Sequence, residues 1–224
     1  MSTSPKAALL EEYALVARAL AAPARLLILE QVAQGERAVE GLAERTGLTF
    51  ANCSQHLQQL RRAGLVTNRR EGKSILYRLT DSRALRLMEL LCTVAERNLA
   101  EVGQILRALS GGQEAPEPLS RDELEARLAE GSVTLLDVRP ADEFALGHIA
   151  GAMNVPLATL PEALPQLADG AEIVAYCRGP YCIYAHQAVA ALRRHGLAAR
   201  RMEGGLPDWR AEGRAMSPPV AGLS

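Results

Sequence analysis

The chain changes its pattern of apolar residues at one short segment, Ser110 to Pro118, which is rich in Gly, Pro and Glu and has almost no apolar content. Such a composition is typical of a linker between folded units. Apolar residues recur at helical spacing before this segment, whereas runs typical of strands alternate with helical patterns after it. The sequence therefore predicts two domains, residues 1–109 and 118–224, joined by a linker of residues 110–117.

The first domain is predicted to be mainly helical, with one β-hairpin. Gly47 can end one helix and Thr49 can cap the next. Residues 65–70 and 74–79 have a strand-like period on either side of Glu71-Gly72-Lys73, which predicts the hairpin. Helices are predicted at residues 7–20, 23 to about 35, 39–45, 50 to about 63, and 82 to about 109. Two short helices joined by a Gly-containing turn and followed by a hairpin wing form a winged helix-turn-helix.

A winged helix-turn-helix places its second helix in the major groove of DNA. The polar residues of that helix that can reach base edges are Asn52, Ser54, Gln55, His56 and Gln59. The basic residues that can contact phosphates are Arg61, Arg62, Arg69, Arg70 and Lys73. Residues 1–110 carry 15 Lys and Arg against 11 Asp and Glu, whereas the rest carries 10 against 15. The order of helix, turn, helix and basic wing favours DNA binding over the alternative that these side chains only solvate an exposed helix.

Three stretches of the first domain resemble the ArsR/SmtB repressors. They are Ala19 to Leu29, Ser54 to Val66, and Arg70 to Lys73 with Tyr77. The resemblance covers residues 8–109. It implies a homodimer built on the first and last helices, a palindromic operator, and repression that an inducer relieves.

The cysteine and histidine patterns of the family's metal sensors are missing. Ala38-Val39-Glu40 replaces the Cys-Val-Cys of the arsenic and lead sensors, and residues 82–109 contain no histidine. Glu30 stands on the second helix, where the family's persulfide sensors carry a cysteine. No metal site is therefore predicted. Cys53 and Cys92 are candidate redox or acceptor thiols, with a role as small buried residues as the alternative.

The second domain is predicted to be α/β. Ser120-Arg-Asp-Glu123 is a capping box at the start of a helix. Strands are predicted at residues 133–138, 173–176 and 199–202, and a further helix at 183–195. Alternating strands and helices indicate a parallel sheet with helices on both faces.

A cysteine stands between a predicted strand and helix of this domain. The loop there consists of Cys177, Arg178, Gly179, Pro180, Tyr181 and Cys182. Inward backbone N–H groups and the helix N-terminus favour a thiolate and can hold an anion. A Cys177 thiolate could take the outer sulfur of thiosulfate as a persulfide and pass it to a thiol. Arg178 or Arg139 could add charge for an anionic donor.

Three motifs in this half are similar to the rhodanese family: Leu136 to Pro156, Tyr176-Cys177, and Gly204 to Trp209. The resemblance covers residues 118–216 and implies that Cys177 carries the persulfide. It also implies a mainly structural role around the loop for Asp137, Arg139, Glu143 and His148.

The loop departs from the family's common form in ways that affect its chemistry. Cys182 stands where a basic or hydroxyl residue is usual; it could resolve a persulfide on Cys177 or be a buried helix-start residue. Pro180 and Tyr181 replace flexible polar residues, so thiosulfate is expected to be a poor donor. Related folds with a longer loop bind phosphate or arsenate, which keeps arsenate chemistry as an alternative.

The sequence predicts a DNA-binding transcription regulator, a repressor, that responds to reactive sulfur through Cys177. The expected partners are a palindromic DNA duplex, a second copy of the chain, and a donor such as thiosulfate, polysulfide or a low-molecular-weight persulfide. The alternatives are a sulfurtransferase enzyme, or a regulator linked to arsenate or arsenite, in which the winged helix serves dimerisation or recruitment. No cofactor is expected.

Neither a membrane span nor a secretion signal is predicted. The sequence has no run of about 18 apolar residues, and its first ten residues lack the pattern of a signal peptide. A cytoplasmic location follows as the expectation. In such a chain the four cysteines are expected to be thiols rather than structural disulfides.

Overall fold

The computed structural model describes residues 4–112, 116–167, 170–179 and 182–217. The chain divides into two compact units between Arg86 and Leu87. Part of the predicted linker, residues 113–115, lies outside the described residues, and the domain boundaries at residues 109 and 118 stay a prediction. No helix in the described part of the chain has the length and apolar character needed to span a membrane.

The first unit is a winged helix-turn-helix, as predicted. Its helices are α1 (Pro5–Leu20), α2 (Pro23–Gln34), α3 (Val39–Thr46) and α4 (Phe50–Arg62), and its strands are β1 (Arg37–Ala38), β2 (Val66–Glu71) and β3 (Ser74–Leu79). The strands form an antiparallel sheet in the order β1-β3-β2. The two-residue β1, which completes the sheet, is too short to leave a period in the sequence.

The turn between α3 and α4 fixes the helix-turn-helix geometry. Gly47 ends α3 with a left-handed φ of 67°, which glycine adopts without a steric penalty. Thr49 Oγ1 then accepts a hydrogen bond from Asn52 N at 3.3 Å and caps α4. Leu42 of α3 and Leu57 of α4 are fully buried, which packs one face of each helix into the core.

The last helix of the predicted first domain is not continuous. It consists of α5 (Ser82–Asn98) and α6 (Ala100–Leu109), because Leu99 leaves the helical conformation with φ −109° and ψ 108°. The Asn98 side chain donates to Val94 O at 2.8 Å, a local bond of the kind that competes with helix continuation. The start of α5 is as predicted, since Asp81 Oδ1 accepts from Arg83 N at 2.8 Å.

The second unit contains a parallel sheet with helices on both faces, as predicted. Its remaining helices are α7 (Arg121–Glu130), α8 (Ala141–Ala145), α9 (Leu160–Ala163), α10 (Tyr184–Arg194) and α11 (Leu206–Ala211), with short 3₁₀ turns at 157–159 and 164–166. Its strands are β4 (Val133–Asp137), β5 (His148–Ile149), β6 (Met153–Asn154), β7 (Glu172–Tyr176), β8 (Ala199–Arg201) and β9 (Met216–Ser217). The parallel sheet has the order β6-β4-β7-β8, and β5 pairs with β9 separately.

Two apolar cores form because side chains alternate along the strands. In β7, Ile173 and Ala175 belong to one core, whereas Val174 and Tyr176 belong to the other. The central position of β7, between β4 and β8, buries it on both faces. Cys177 follows Tyr176 directly, so it lies at the carboxyl end of a rigid central strand, the edge at which open α/β sheets bind ligands.

Candidate functional site

The two cysteines of the loop are bonded to each other. Cys177 and Cys182 form a disulfide with a Cα–Cα distance of 6.3 Å, and their exposed fractions are 2% and 6%. Cys182 N donates to Gly179 O at 3.0 Å, and this turn brings the two residues together. The expectation that all four cysteines are thiols is therefore wrong for this pair. Pro180 and Tyr181, the other predicted loop residues, lie outside the described residues.

The C-terminal Gly-Gly-Leu-Pro-Asp-Trp motif forms a wall of the loop. A Cβ on Gly205 would lie 2.7 Å from the Arg178 carbonyl carbon and still closer to Gly179, so only glycine fits there. Leu206 N donates to Cys177 O at 3.1 Å. Asp208 accepts from Gly205 N at 2.8 Å and fixes the start of α11. The sequence motif pointed to this region, but not to these three residues as supports of the loop.

Arg178 is paired with a buried carboxylate. Its Nε and a terminal nitrogen donate to the two oxygens of Glu143 at 2.9 and 2.7 Å. The Glu143 side chain has no exposed surface, and the Arg178 side chain is 13% exposed. The guanidinium also lies over the Tyr184 ring, 5.2 Å from its centre. Its charge therefore helps to fix the loop against α8, and the predicted contact with an anionic sulfur donor stays a prediction.

Arg139 is paired in the same way at the end of the neighbouring strand β4. Its Nε and a terminal nitrogen donate to Asp137 at 3.0 and 2.6 Å, and the terminal nitrogen also donates to Gly147 O at 2.9 Å. The Asn154 amide donates to the backbone oxygens of Asp137 and Arg139. Because the arginine is buried with its carboxylate, this pair is part of the frame of the sheet edge.

His148 and Tyr176 complete this frame. His148 Nδ1 lies 3.1 Å from Phe144 O, and the two rings are stacked with centres 3.6 Å apart. The Tyr176 hydroxyl accepts from Ile149 N at 3.1 Å, and burial raises the pKa of Tyr176. These contacts join the short strand β5 to α8 and to the end of β7.

A histidine that sequence reasoning did not single out lies one turn after Cys182. His186 is on α10 and is 8% exposed, and its side chain lies beside the Cys182 backbone. Burial, together with the charge of Arg201, lowers the pKa of His186 to about 4, so the ring is neutral at pH 7. Its Nδ1 is buried and has no hydrogen-bond partner within the described residues. The four-residue spacing from Cys182 was the sequence signal for this contact.

The other two cysteines are thiols in different surroundings. Cys53 is fully buried in the core of the helix-turn-helix, and burial raises the pKa of its thiol to about 11. Such a thiol is protonated at neutral pH and is a poor nucleophile. Cys92 is partly buried on α5. Of the two candidate acceptor thiols, the surroundings of Cys53 therefore favour its alternative role as a small buried residue.

Some of the predicted DNA-binding side chains are exposed, and others are partly buried or bonded within the protein. Exposed are Asn52, Gln55, Arg61, Arg62, Arg69, Arg70 and Lys73, and partly buried are Ser54, His56 and Gln59. The Gln59 oxygen accepts from Arg25 at 2.6 Å, which ties α4 to α2. Arg69 forms an ion pair with Glu36 at 2.6 Å, so a phosphate would have to compete with that carboxylate. Among the predicted base-reading residues, Asn52 and Gln55 are therefore the exposed ones.

No group of three metal-ligand side chains comes together within residues 4–112, 116–167, 170–179 and 182–217. The fold and these two sites define a class of protein: a winged helix-turn-helix unit combined with a parallel α/β unit that carries a cysteine loop.

Comparison with known proteins assigns both parts. Residues 22–68 match the model of bacterial regulatory proteins of the arsR family, and residues 120–212 match the rhodanese-like domain. The HTH-type transcriptional regulator Rv0324 of Mycobacterium tuberculosis is 44% identical over 93% of this chain and 91% of its own length. The biofilm growth-associated repressor of Agrobacterium fabrum is 42% identical over 37% of this chain and 71% of its own length.

Among solved structures, the homodimeric winged helix-turn-helix DNA-binding domain of Mb0332 from Mycobacterium bovis is 44% identical, with a TM-score of 0.41. The match covers 44% of this chain and 92% of that chain. Because of the extent of the match to Rv0324, the chain belongs to the ArsR family of transcriptional regulators, with a rhodanese-like domain in its second half.

Proposed function

We propose that this protein is a DNA-binding transcriptional repressor whose operator affinity is controlled by sulfane sulfur that enters at Cys177. The observation that carries the proposal is the position of Cys177, at the carboxyl end of the central strand β7 and in a loop fixed by Gly205 and by the Arg178–Glu143 pair. The same chain has a helix-turn-helix of the arsR family.

DNA binding is supported by the surface of α4 and of the β2–β3 wing. Asn52 and Gln55 are exposed on α4, and their amide groups can form paired hydrogen bonds with adenine edges. Arg61, Arg62 and Lys73 are exposed around them and can bind phosphates. This combination of base-reading and phosphate-binding side chains fits an operator duplex. The compartment that we propose for the protein is the cytoplasm.

A homodimer is supported by apolar side chains on the helices that the family uses for dimerisation. The exposed large apolar residues of α1 are Leu9, Leu10, Tyr13 and Leu15, and those of α5, Leu99 and α6 are Leu90, Leu91, Val94, Leu99 and Ile105. If a second copy of the chain packs against these side chains, their apolar surface is removed from water. A two-fold dimer matches a palindromic operator.

The sulfur-accepting state is the reduced one. A sulfur atom in a disulfide is not a thiolate, so Cys177 becomes a nucleophile only after the bond to Cys182 is reduced. Because Arg178 and Arg139 are paired with carboxylates, the loop offers little free side-chain charge to the sulfonate of thiosulfate. A polysulfide or a low-molecular-weight persulfide is therefore the donor that the site fits best.

A path to the rest of the regulator begins at the same loop. Helix α10 starts two residues after Cys182, and α6 packs against α10. Helices α5 and α6 carry the apolar side chains assigned to the dimer. A change at Cys177 or Cys182 can thus alter the dimer helices through contacts inside the second unit. Control of DNA binding also requires that the sulfur-loaded and reduced proteins differ in DNA affinity.

The test uses reduced full-length protein and a DNA duplex selected by that protein from a random pool. Affinity is measured before and after treatment with glutathione persulfide, in the wild type, in Cys177→Ser and in Cys92→Ser as the matched control. We expect weaker DNA binding after treatment in the wild type and in Cys92→Ser, and no change in Cys177→Ser. An unchanged affinity in the wild type rejects control by sulfur.

A sulfurtransferase enzyme is the second candidate, and the fixed loop around Cys177 favours it. Thiocyanate formation from a sulfane donor and cyanide measures this activity. Turnover that Cys177→Ser abolishes supports the enzyme. If turnover is equal in the wild type and Cys177→Ser, Cys177 is not the sulfur carrier and this candidate fails.

A further inference from the structure

We infer that Cys182 is a resolving cysteine that displaces hydrosulfide from a persulfide on Cys177, so that the rhodanese-like domain reduces sulfane sulfur to sulfide. This activity rests on the proposed entry of sulfur at Cys177 and differs from transfer of the sulfur atom to an acceptor. Its substrate class is the persulfides and polysulfides, and its end state is the Cys177–Cys182 disulfide.

The position of Cys182 carries the inference. The two sulfur atoms meet in a covalent bond while the loop keeps its backbone hydrogen bonds, namely Cys182 N to Gly179 O and Leu206 N to Cys177 O. A thiolate at Cys182 is therefore within reach of the Cys177 sulfur without a change of fold. Groups held in this way react with an effective molarity far above the concentration of any dissolved thiol.

The contacts of the two cysteines restrict where they can move. Gly205 allows no Cβ between itself and the backbone of Arg178 and Gly179, so the loop is held on that side. On the other side the buried ring of His186, one turn further along the chain on α10, lies beside the Cys182 backbone. Because both cysteine residues are almost fully buried, the neighbouring cysteine is the thiol best placed to reach a persulfide on Cys177.

The reaction is balanced in two steps. The Cys177 thiolate attacks the outer sulfur of a persulfide RSSH, an S–S bond forms on Cys177, the donor S–S bond breaks, and RS⁻ leaves. The Cys182 thiolate then attacks the Cys177 sulfur, the bond to the added sulfur breaks, and HS⁻ leaves. The two cysteine sulfurs lose two electrons and the sulfane sulfur gains them. Their two thiol protons end on RSH and H₂S, and a dithiol reductant restores the enzyme for a further cycle.

The experiment is a single turnover of reduced full-length protein with glutathione persulfide. It measures sulfide released and the intact and peptide masses of the cysteines, with Cys177→Ser as the blank for spontaneous release. In the wild type we expect one equivalent of sulfide per chain and a Cys177–Cys182 disulfide. In Cys182→Ser we expect the mass of one added sulfur on Cys177 and sulfide release no greater than in the blank.

Two results overturn the inference. One is the finding that wild-type protein keeps the added sulfur on Cys177 and forms no disulfide. This measurement needs no variant, so it remains valid even if Cys182→Ser does not fold. The other is sulfide release by folded Cys182→Ser at the wild-type rate.

DNA affinity measured on the same samples separates this inference from the proposed regulatory function. Sulfide release and disulfide formation with unchanged DNA affinity support the resolving cysteine and reject control of DNA binding by sulfur. Weakened DNA binding by wild-type protein that retains its persulfide supports control by sulfur and rejects the resolving cysteine.

Discussion

Gly205 lies directly against the backbone of Gly179, so the C-terminal motif and the cysteine loop are built as one unit. The two glycines are 26 positions apart in the sequence, yet a Cβ on Gly205 would overlap the backbone of Gly179. The Leu206 N to Cys177 O hydrogen bond joins the same two segments. The backbone position of the Cys177 loop therefore depends on a residue far from it in the chain.

Replacing Gly205 with alanine tests this dependence. Because the new Cβ would overlap the backbone of Arg178 and Gly179, we expect Gly205→Ala to lower the free energy of unfolding by about 1–3 kcal/mol, as overpacking does. We also expect a changed rate of Cys177 alkylation in the reduced protein. Urea unfolding and mass-spectrometric alkylation kinetics measure the two effects.

The matched control is Gly41→Ala. Gly41 lies within α3, and a Cβ there would meet nothing within 4 Å. Alanine in a helix is more favourable than glycine, so the free energy of unfolding should stay the same or rise by about 0.5–1 kcal/mol. Equal stability and equal alkylation rates in Gly205→Ala and the wild type would show that the loop does not need this glycine.

Removal of the buried partner of Arg178 should be costly. Glu143→Gln leaves a guanidinium that is only 13% exposed without its carboxylate, and we expect a loss of about 3 kcal/mol in the free energy of unfolding. Glu125→Gln breaks an ion pair with Arg214 in which the carboxylate is 53% exposed, so its effect should stay within about 1 kcal/mol. Urea unfolding at pH 7 compares the two. Similar losses in both variants would contradict the structural role assigned to the Arg178–Glu143 pair.

The stability of the protein should depend on pH through His186. Its pKa is about 4 in the folded protein and 6.5 in a model peptide, so the unfolded chain binds more protons between these values. The contribution of the neutral His186 to the free energy of unfolding is therefore fully present above pH 6.5 and is lost as the pH falls towards 4. Between pH 7 and pH 5 we expect a loss of about 2 kcal/mol in the free energy of unfolding.

The variant His186→Gln isolates this effect from other groups, such as Asp208, whose pKa is raised by burial. Urea unfolding of both proteins at pH 7 and pH 5 gives the difference. The fall in stability from pH 7 to pH 5 should be smaller in the variant by about the same 2 kcal/mol. Parallel pH profiles would mean that His186 is not held neutral in the folded state.

Substitutions on the proposed DNA-binding surface should lower DNA affinity in two different ways. Gln55→Ala removes a candidate base contact and should cost about 1–3 kcal/mol on the selected duplex while relaxing sequence preference. Lys73→Ala removes a candidate phosphate contact and should weaken all duplexes alike, with a salt slope reduced by about one. The control is Arg193→Ala, an exposed basic residue of α10 outside the helix-turn-helix. Anisotropy titrations at several salt concentrations measure these effects, and equal losses in all three variants would contradict the assignment.

The elements of this fold were predictable where their signals are local. Thr49 and Gly47 mark the helix-turn-helix by their own backbone preferences, and the alternation around Cys177 marks a parallel sheet. The break at Leu99 was not predicted, because helical periodicity continues through Asn98 and beyond. The two-residue strands β1, β5, β6 and β9 are too short to produce a period.

The parts of the site that depend on tertiary contacts were harder to predict from the sequence. Sequence reasoning named Glu143 and Arg178 separately, but their pairing requires the α8 segment to fold against the loop. The bond between Cys177 and Cys182 depends on a turn whose geometry the composition does not specify. The contact between Gly205 and Gly179 had a motif as its signal, whereas the role of His186 had only its spacing from Cys182.

The most direct test of sulfur control is the ratio of operator dissociation constants for the persulfide-treated and the dithiol-reduced wild-type protein, at one fixed salt concentration. The account predicts a ratio of about 5–150, corresponding to 1–3 kcal/mol of coupling, that returns to one when the treated sample is reduced again. The same ratio in Cys177→Ser should be one throughout. A ratio of one in the wild type, with sulfur chemistry at Cys177 confirmed by mass, would contradict the account.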